Sequence, residues 1–339
     1  MGLLGSLDAP EVWLPIVFTG LMGLAILIYV VLDGYDLGVG MLMAMAPPKD
    51  RDRMIASIGP FWDANETWLV LGIGILLVAF PTAHGIILNA LYIPVAVLLA
   101  GLILRGVAFD FRAKARASSQ PTWDRTFMAG SLIATLAQGY MLGSYIVGFE
   151  TTPQALLFGG LTALCLSCGY GLVGAGWLIL KTEGELQRKA VRWARLALWG
   201  TALGLALVSA VTPLVSARIF EKWFAFPNVV LLAPLPILAA VAIYRLDRLL
   251  AVLPLTGDRK AWVPFAAGAF LFVLGFLGLA YSFYPYIVPE KMTIFEAASA
   301  PESLMAILIG AIVVLPCIIA YTIFAYRVFW GKVDETSYH

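Results

Sequence analysis

The sequence predicts an all-α protein built of transmembrane helices that cross a bilayer about nine times. Three observations carry this reading. Of 339 residues, 61% are hydrophobic and only 13% charged, where a soluble domain is about 45–50% apolar and about 25% charged. Mean hydropathy is +0.90. Apolar runs of roughly 20 residues recur along the whole chain, each long enough to cross about 30 Å of hydrocarbon as a helix. A soluble fold is excluded.

The runs place helices at 14–36, 66–83, 86–109, 127–149, 155–180, 196–216, 228–244, 263–285 and 303–328. No long linker, low-complexity tract or soluble insertion separates them, so residues 1–339 are expected to form a single membrane domain. Two four-helix bundles plus one peripheral helix is the expected arrangement. The first thirteen residues hold no Lys or Arg, so the first run lacks the basic flank of a secretory signal and is expected to stay as a helix. The second and third runs are separated only by Pro81-Thr82-Ala83-His84-Gly85, which predicts an antiparallel hairpin turning at one membrane face. Phe295-Glu296-Ala297-Ala298 before the last run echoes Trp62-Asp63-Ala64-Asn65 before the second, a pattern compatible with an inverted repeat or with chance.

Basic residues set the orientation, because Lys and Arg near helix ends stay on the cytoplasmic side. Lys49, Arg51 and Arg53 follow the first helix; Arg105, Arg112, Lys114, Arg116 and Arg125 follow the third. Lys181, Arg188, Lys189, Arg192 and Arg195 follow the fifth, then come Arg245, Arg248, Arg259 and Lys260, and finally Arg327 and Lys332. Of 22 basic residues only Arg218, Lys222 and Lys291 fall on the other side. The N-terminus is therefore expected outside and the C-terminus in the cytoplasm. Cys165, Cys168 and Cys317 all lie inside apolar runs, where they read as small packing residues rather than a disulfide or redox motif.

Acids in or beside an apolar run are costly and mark candidate functional positions. Asp33-Gly34-Tyr35-Asp36-Leu37-Gly38-Val39-Gly40 closes the first helix and sets Asp33 and Asp36 on one helical face. Gly34 and Gly38 form a small-residue ridge on which a neighbouring helix can approach closely. A carboxylate pair in a low-dielectric setting suits uptake and release of protons near neutral pH; capping, or pairing with Arg at the interface, is the other reading. Gly59-Pro60-Phe61-Trp62-Asp63-Ala64-Asn65-Glu66-Thr67-Trp68 opens the second helix, with Asp63 and Glu66 again three apart. Asp63 is the natural helix cap there, and Trp62 and Trp68 suit an interfacial belt. Arg105 and Asp110, ending the third helix on the same expected side, favour instead a proton entrance assembled from all these groups. Only His84 and His339 occur, too few for a pair of axial haem ligands within the membrane, and nucleotide-binding and zinc-protease motifs are missing. The chain is not expected to hold a complete active site.

Asp-Gly-Tyr-Asp-Leu-Gly-Val-Gly at 33–40, Trp-Asp-Ala-Asn-Glu-Thr-Trp-Leu at 62–69 and Arg-Gly-Val-Ala-Phe-Asp-Phe-Arg at 105–112, in this order, resemble subunit II of the cytochrome bd-type quinol oxidases. The resemblance extends to length and helix count. It implies a multi-pass subunit of the bacterial inner membrane, in a complex that oxidises quinol and reduces dioxygen to water as an electrogenic translocase. Haems b and d, or a third haem b, are implied in the partner subunit I, with no haem bound by this chain. Asp63, Arg105 and Asp110 match family positions associated with proton delivery from the cytoplasm; Asp33 and Asp36 match the acidic motif of helix one. Trp62 corresponds to a residue near a structural quinone in some members. Glu66 stands where some members have Gln, and Phe61 where others have His, which is closer to the cyanide-insensitive branch. Further partners left open are a small single-helix subunit and a second copy of the complex; no nucleic acid is expected. The alternative, from the intramembrane acids and the echo alone, is a proton-coupled secondary transporter.

Overall fold

The computed structural model describes residues 9–333. The described chain is helical almost throughout: α1 (Pro10–Leu42), α2 (Pro48–Ile58), α3 (Trp62–Ala79), α4 (Pro81–Lys114), α5 (Gln120–Ile146), α6 (Pro153–Lys181) and α7 (Gly184–Val215) come first. Then follow α8 (Ala217–Phe224), α9 (Asn228–Leu232), α10 (Pro234–Leu250), α11 (Val263–Phe283), a hairpin of β1 (Tyr286–Val288) and β2 (Met292–Thr293), α12 (Ile294–Ala297) and α13 (Pro301–Val328). Among the described residues, eight helical spans are long and apolar enough to cross a membrane, α9 and α10 together counting as one. The remaining expected helix, 127–149, lies in α5, which runs for 27 residues. The chain is a multi-pass all-α membrane protein.

Several boundaries differ from the sequence expectation. The acidic motif does not close the first helix, which runs on to Leu42 and buries every residue from 33 to 40. No five-residue turn separates the second and third helices: Phe80 alone does, and Pro81, favoured in a first turn where no N–H is needed, opens α4. His84 thus sits half-buried in the first turn of α4 rather than in a loop; His339 lies outside the described residues. The sixth helix begins at Gly184 instead of 196, its first turns being charged on one face and buried at Leu186, Ala190, Val191 and Ala194 on the other. The seventh is interrupted at Ala233. Helix α2 was not expected; its apolar side buries Met54, Ile55 and Ile58.

Two compact units divide the described residues: 9–30, 60–90 and 283–330 form one, and 31–59, 91–282 and 331–333 the other. In the first unit, α3 and α13 run antiparallel. Ser299, just before α13, donates from its N–H to Ala79 O and from Oγ to Val78 O, both at 2.8 Å, satisfying carbonyls left open at the end of α3. At the other end Tyr326 Oη donates to the buried Asn65 Oδ1 at 3.0 Å, and the Phe61 ring stacks on Tyr326 at 4.5 Å. Helix α12 opens with a capping box between Thr293 and Glu296. The backbone bond to Thr293 and then its side chain hold the Glu296 carboxyl below its ordinary range.

In the second unit α6 packs between α5 and α7 and touches α1 and α11 through glycine. A Cβ built at Gly38 would lie 1.9 Å from Tyr170 O, and one at Gly174 would lie 2.6 Å from Gly38 C; only hydrogen fits between these backbones. Gly176 approaches Phe265 of α11 in the same way. On the α7 side Cys165 and Cys168 cover Gly204 and Gly200, which is the packing role expected of them. We predict that Gly38→Ala lowers stability by about 1–3 kcal/mol through overpacking, whereas Gly20→Ala, with nothing within 4 Å of the new carbon, is neutral. Thermal unfolding of the detergent-solubilised variants checks this, and equal midpoints would refute the close-contact account.

Candidate functional site

The second unit collects three of the expected residues. Asp33, Gly34, Tyr35 and Asp36 form one turn of α1, held there because Gly34 lies against the Tyr170 ring of α6 and Tyr35 stacks on Trp177 at 4.2 Å. Arg105 comes from α4, where Gly101 and Gly130 bring α4 against α5. Arg105 Nη1 donates to Asp33 Oδ1 at 2.6 Å, and the two side chains are 1% and 0% exposed. Asp36, one turn further along α1, is 0% exposed as well.

Pairing with an Arg, one reading of the motif, is what Asp33 does, in a buried contact; Arg105 does not end its helix, which continues to Lys114. An isolated ion in such surroundings is penalised by several kcal/mol, so the two charges persist by mutual compensation and hydrogen bonding. The compensation is incomplete: Asp33 Oδ2 is buried and, among the described residues, has no hydrogen-bond partner. Nearby in the same unit, Tyr170 Oη donates to Gln138 Oε1 at 2.6 Å. Neither residue was singled out from the sequence; a Gln in the middle of an apolar run was the available signal.

Asp110 is exposed on the last turns of α4 and is not gathered to this pair. Asp63, Glu66 and Trp62 belong to the first unit. Asp63 is exposed in the first turn of α3; it is not the cap, since Phe61 holds that position with no side-chain cap bond. Glu66 and Trp62 are half-buried on the same turns.

A second ionic cluster went unread because its basic members served only to set orientation. Asp124 accepts from Arg112 Nε at 2.6 Å and from Arg51 Nη1 at 3.2 Å, while Arg112 Nη2 reaches Asp52 Oδ1 at 2.6 Å. Lys189 donates to Asp50 Oδ2 at 2.8 Å. Asp50, Arg51 and Asp52 thus tie α2 to α7, α5 and α4 in turn. Among the described residues no three His, Cys, Asp or Glu side chains converge to hold a metal ion.

Fold and site together define a multi-pass membrane protein with a charge pair sealed among its helices. Comparison with known proteins gives the family. The model of cytochrome bd terminal oxidase subunit II matches residues 14–329, and the chain belongs to that family. It is 29% identical to the cytochrome bd ubiquinol oxidase subunit 2 of Bacillus subtilis, covering 90% of this chain and 92% of that one. It is 27% identical to the cytochrome bd-I ubiquinol oxidase subunit 2 of Escherichia coli, over 93% and 94% of the two chains. A solved bd oxidase structure from Geobacillus thermodenitrificans shares the fold with a TM-score of 0.74, at 16% identity, over 93% of this chain and 98% of that one.

Truncating one partner strands the other's charge. Arg105→Leu is expected to cost about 3–5 kcal/mol, and combining it with Asp33→Leu to recover most of that loss. Thermal unfolding of both single variants and the double variant measures the coupling; simple additivity would mean that the pair does not hold the site.

Proposed function

We propose that this chain is the haem-free second subunit of a terminal oxidase that oxidises quinol and reduces dioxygen to water, that it stabilises the haem-bearing subunit I, and that it takes part in proton uptake from the cytoplasm. Family membership supports the oxidase reading and sets aside the stand-alone transporter. The observation that carries the proton role is the Asp33–Arg105 pair, fully buried at 2.6 Å with one carboxylate oxygen unsatisfied. Ionisable groups kept inside membrane segments despite their cost mark ion and proton paths. On this reading the exposed Asp63 and Asp110 and the half-buried Glu66 take protons from water, and Asp36, Asp33 and Arg105 form the dry part of the route.

The complex is assigned to the bacterial plasma membrane, N-terminus outside. Haems b and d, or a third haem b, belong to subunit I. On this reading a structural quinone lies beside Trp62, which is half-buried and adjacent in sequence to Phe61, whose ring stacks on Tyr326. The residues of this chain would bind and orient such a ring without reacting with it.

Asp63→Asn and Asp33→Asn are expected to lower oxygen consumption per haem by about tenfold or more, with haem content per complex unchanged. A loss of assembled complex at constant turnover per haem would leave the stabilising role and remove the proton role. In a reduced-minus-oxidised optical spectrum, the complex purified through a tag on this chain should show b-haem bands, with a far-red band if haem d is present. A colourless, well-folded preparation would overturn the oxidase reading.

A further inference from the structure

Helix α7 starts with a charged face. Lys189 is engaged by Asp50 and Glu185, and Arg195 by Asp247 at 2.8 Å. Arg188 and Arg192, one turn apart on one face, are both exposed and, among the described residues, form no ion pair. They flank an open groove of about 530 Å³ whose floor is apolar, made by Val191 with Leu250, Ala251, Leu253 and Pro254 where α10 ends. Two uncompensated guanidinium groups over an apolar floor do not suit a soluble anion, which would leave the floor wet, nor an apolar ligand, which would leave the charges unmatched.

The surroundings point to lipid. Beyond Arg195 the same helix exposes Leu196, Trp199 and Leu203, and α10 exposes Leu238, Val241 and Tyr244, apolar faces for acyl chains on two membrane-spanning helices. Trp199 Nε1 donates to Asp247 Oδ1 at 3.2 Å, a tryptophan held between a polar cluster and an apolar face as at a membrane interface. Arginine recognises phosphate through paired N–H donors, and basic pockets between helices at the cytoplasmic surface take anionic lipid headgroups.

We infer that the groove between the start of α7 and the end of α10 binds one anionic phospholipid, its phosphate on Arg188 and Arg192 and its acyl chains along the exposed faces of the two helices. Glu185, on the rim, does not oppose this, because its carboxylate already faces Lys189 and Lys49. The site is independent of the proton route and of the oxidase reading.

The test uses the assembly purified through a tag on this chain, delipidated and titrated with dioleoylphosphatidylglycerol under native mass spectrometry. One tightly held lipid is expected, bound about tenfold more tightly than dioleoylphosphatidylcholine. Arg188→Gln with Arg192→Gln should weaken it at least about tenfold, and Ala251→Trp, which fills the floor and keeps both charges, should weaken it too. Arg116→Gln with Arg125→Gln, an equal loss of exposed charge elsewhere, should not. Unchanged binding in either groove variant, equal binding of phosphatidylcholine, or full displacement of the lipid by inorganic phosphate would overturn the assignment.

Discussion

Close backbone contact through glycine is the constraint on which the larger unit depends. Inside a bilayer no hydrophobic drive pushes helices together, so association rests on van der Waals fit and buried polar contacts. Helix α6 answers this with Gly169, Gly171, Gly174 and Gly176 in one stretch, of which Gly174 meets Gly38 and Gly176 meets Phe265. Both partners of the buried ion pair sit beside such contacts. Gly34 and Gly38 fix the turn carrying Asp33, and Gly101 against Gly130 fixes the turn carrying Arg105. A pair held at 2.6 Å needs that rigidity, since a small displacement in low dielectric exposes each charge to an uncompensated desolvation cost.

The outer charge cluster solves a different problem. Helix α2 is short and half polar, and an isolated helix of that length is marginal in water. Its stability comes from below through Met54, Ile55 and Ile58, and from the bond of Trp177 Nε1 to Ser57 O at 3.0 Å. The consecutive charges Asp50, Arg51 and Asp52 then reach three different helices. Asp124 and Arg112 are both nearly buried, so this is not a set of surface pairs of small value. On the same face of the unit, the tail contributes Lys332, which donates to Ile179 O and Thr182 O at the end of α6 and pairs with Asp258.

Periodicity and length made the membrane spans legible, because hydrocarbon leaves the backbone no alternative to the helix. The acidic motifs were legible as positions, since a carboxylate in an apolar run has few bland explanations. Partners were less legible. That Asp33 would find Arg105, 72 residues away, depends on which helix faces which, and an apolar run looks alike on all sides. Helix α2 escaped because it is not apolar enough to resemble a span, and the start of α7 because its first turns are charged and have partners on other helices. The hairpin at 286–293 escaped because its strands hold three and two residues, shorter than any alternation that sequence alone can reveal.

The geometry of the pair also limits what changes the turn around it can tolerate. Arg105 depends on Asp33: a change that removed that partner would leave the guanidinium alone in an apolar setting at a cost of several kcal/mol. Asp36 stands one turn away on the same face of α1 and is equally buried. The α1 turn that carries two buried carboxylates therefore tolerates little loosening of the contacts at Gly34 and Gly38 that hold it against α6.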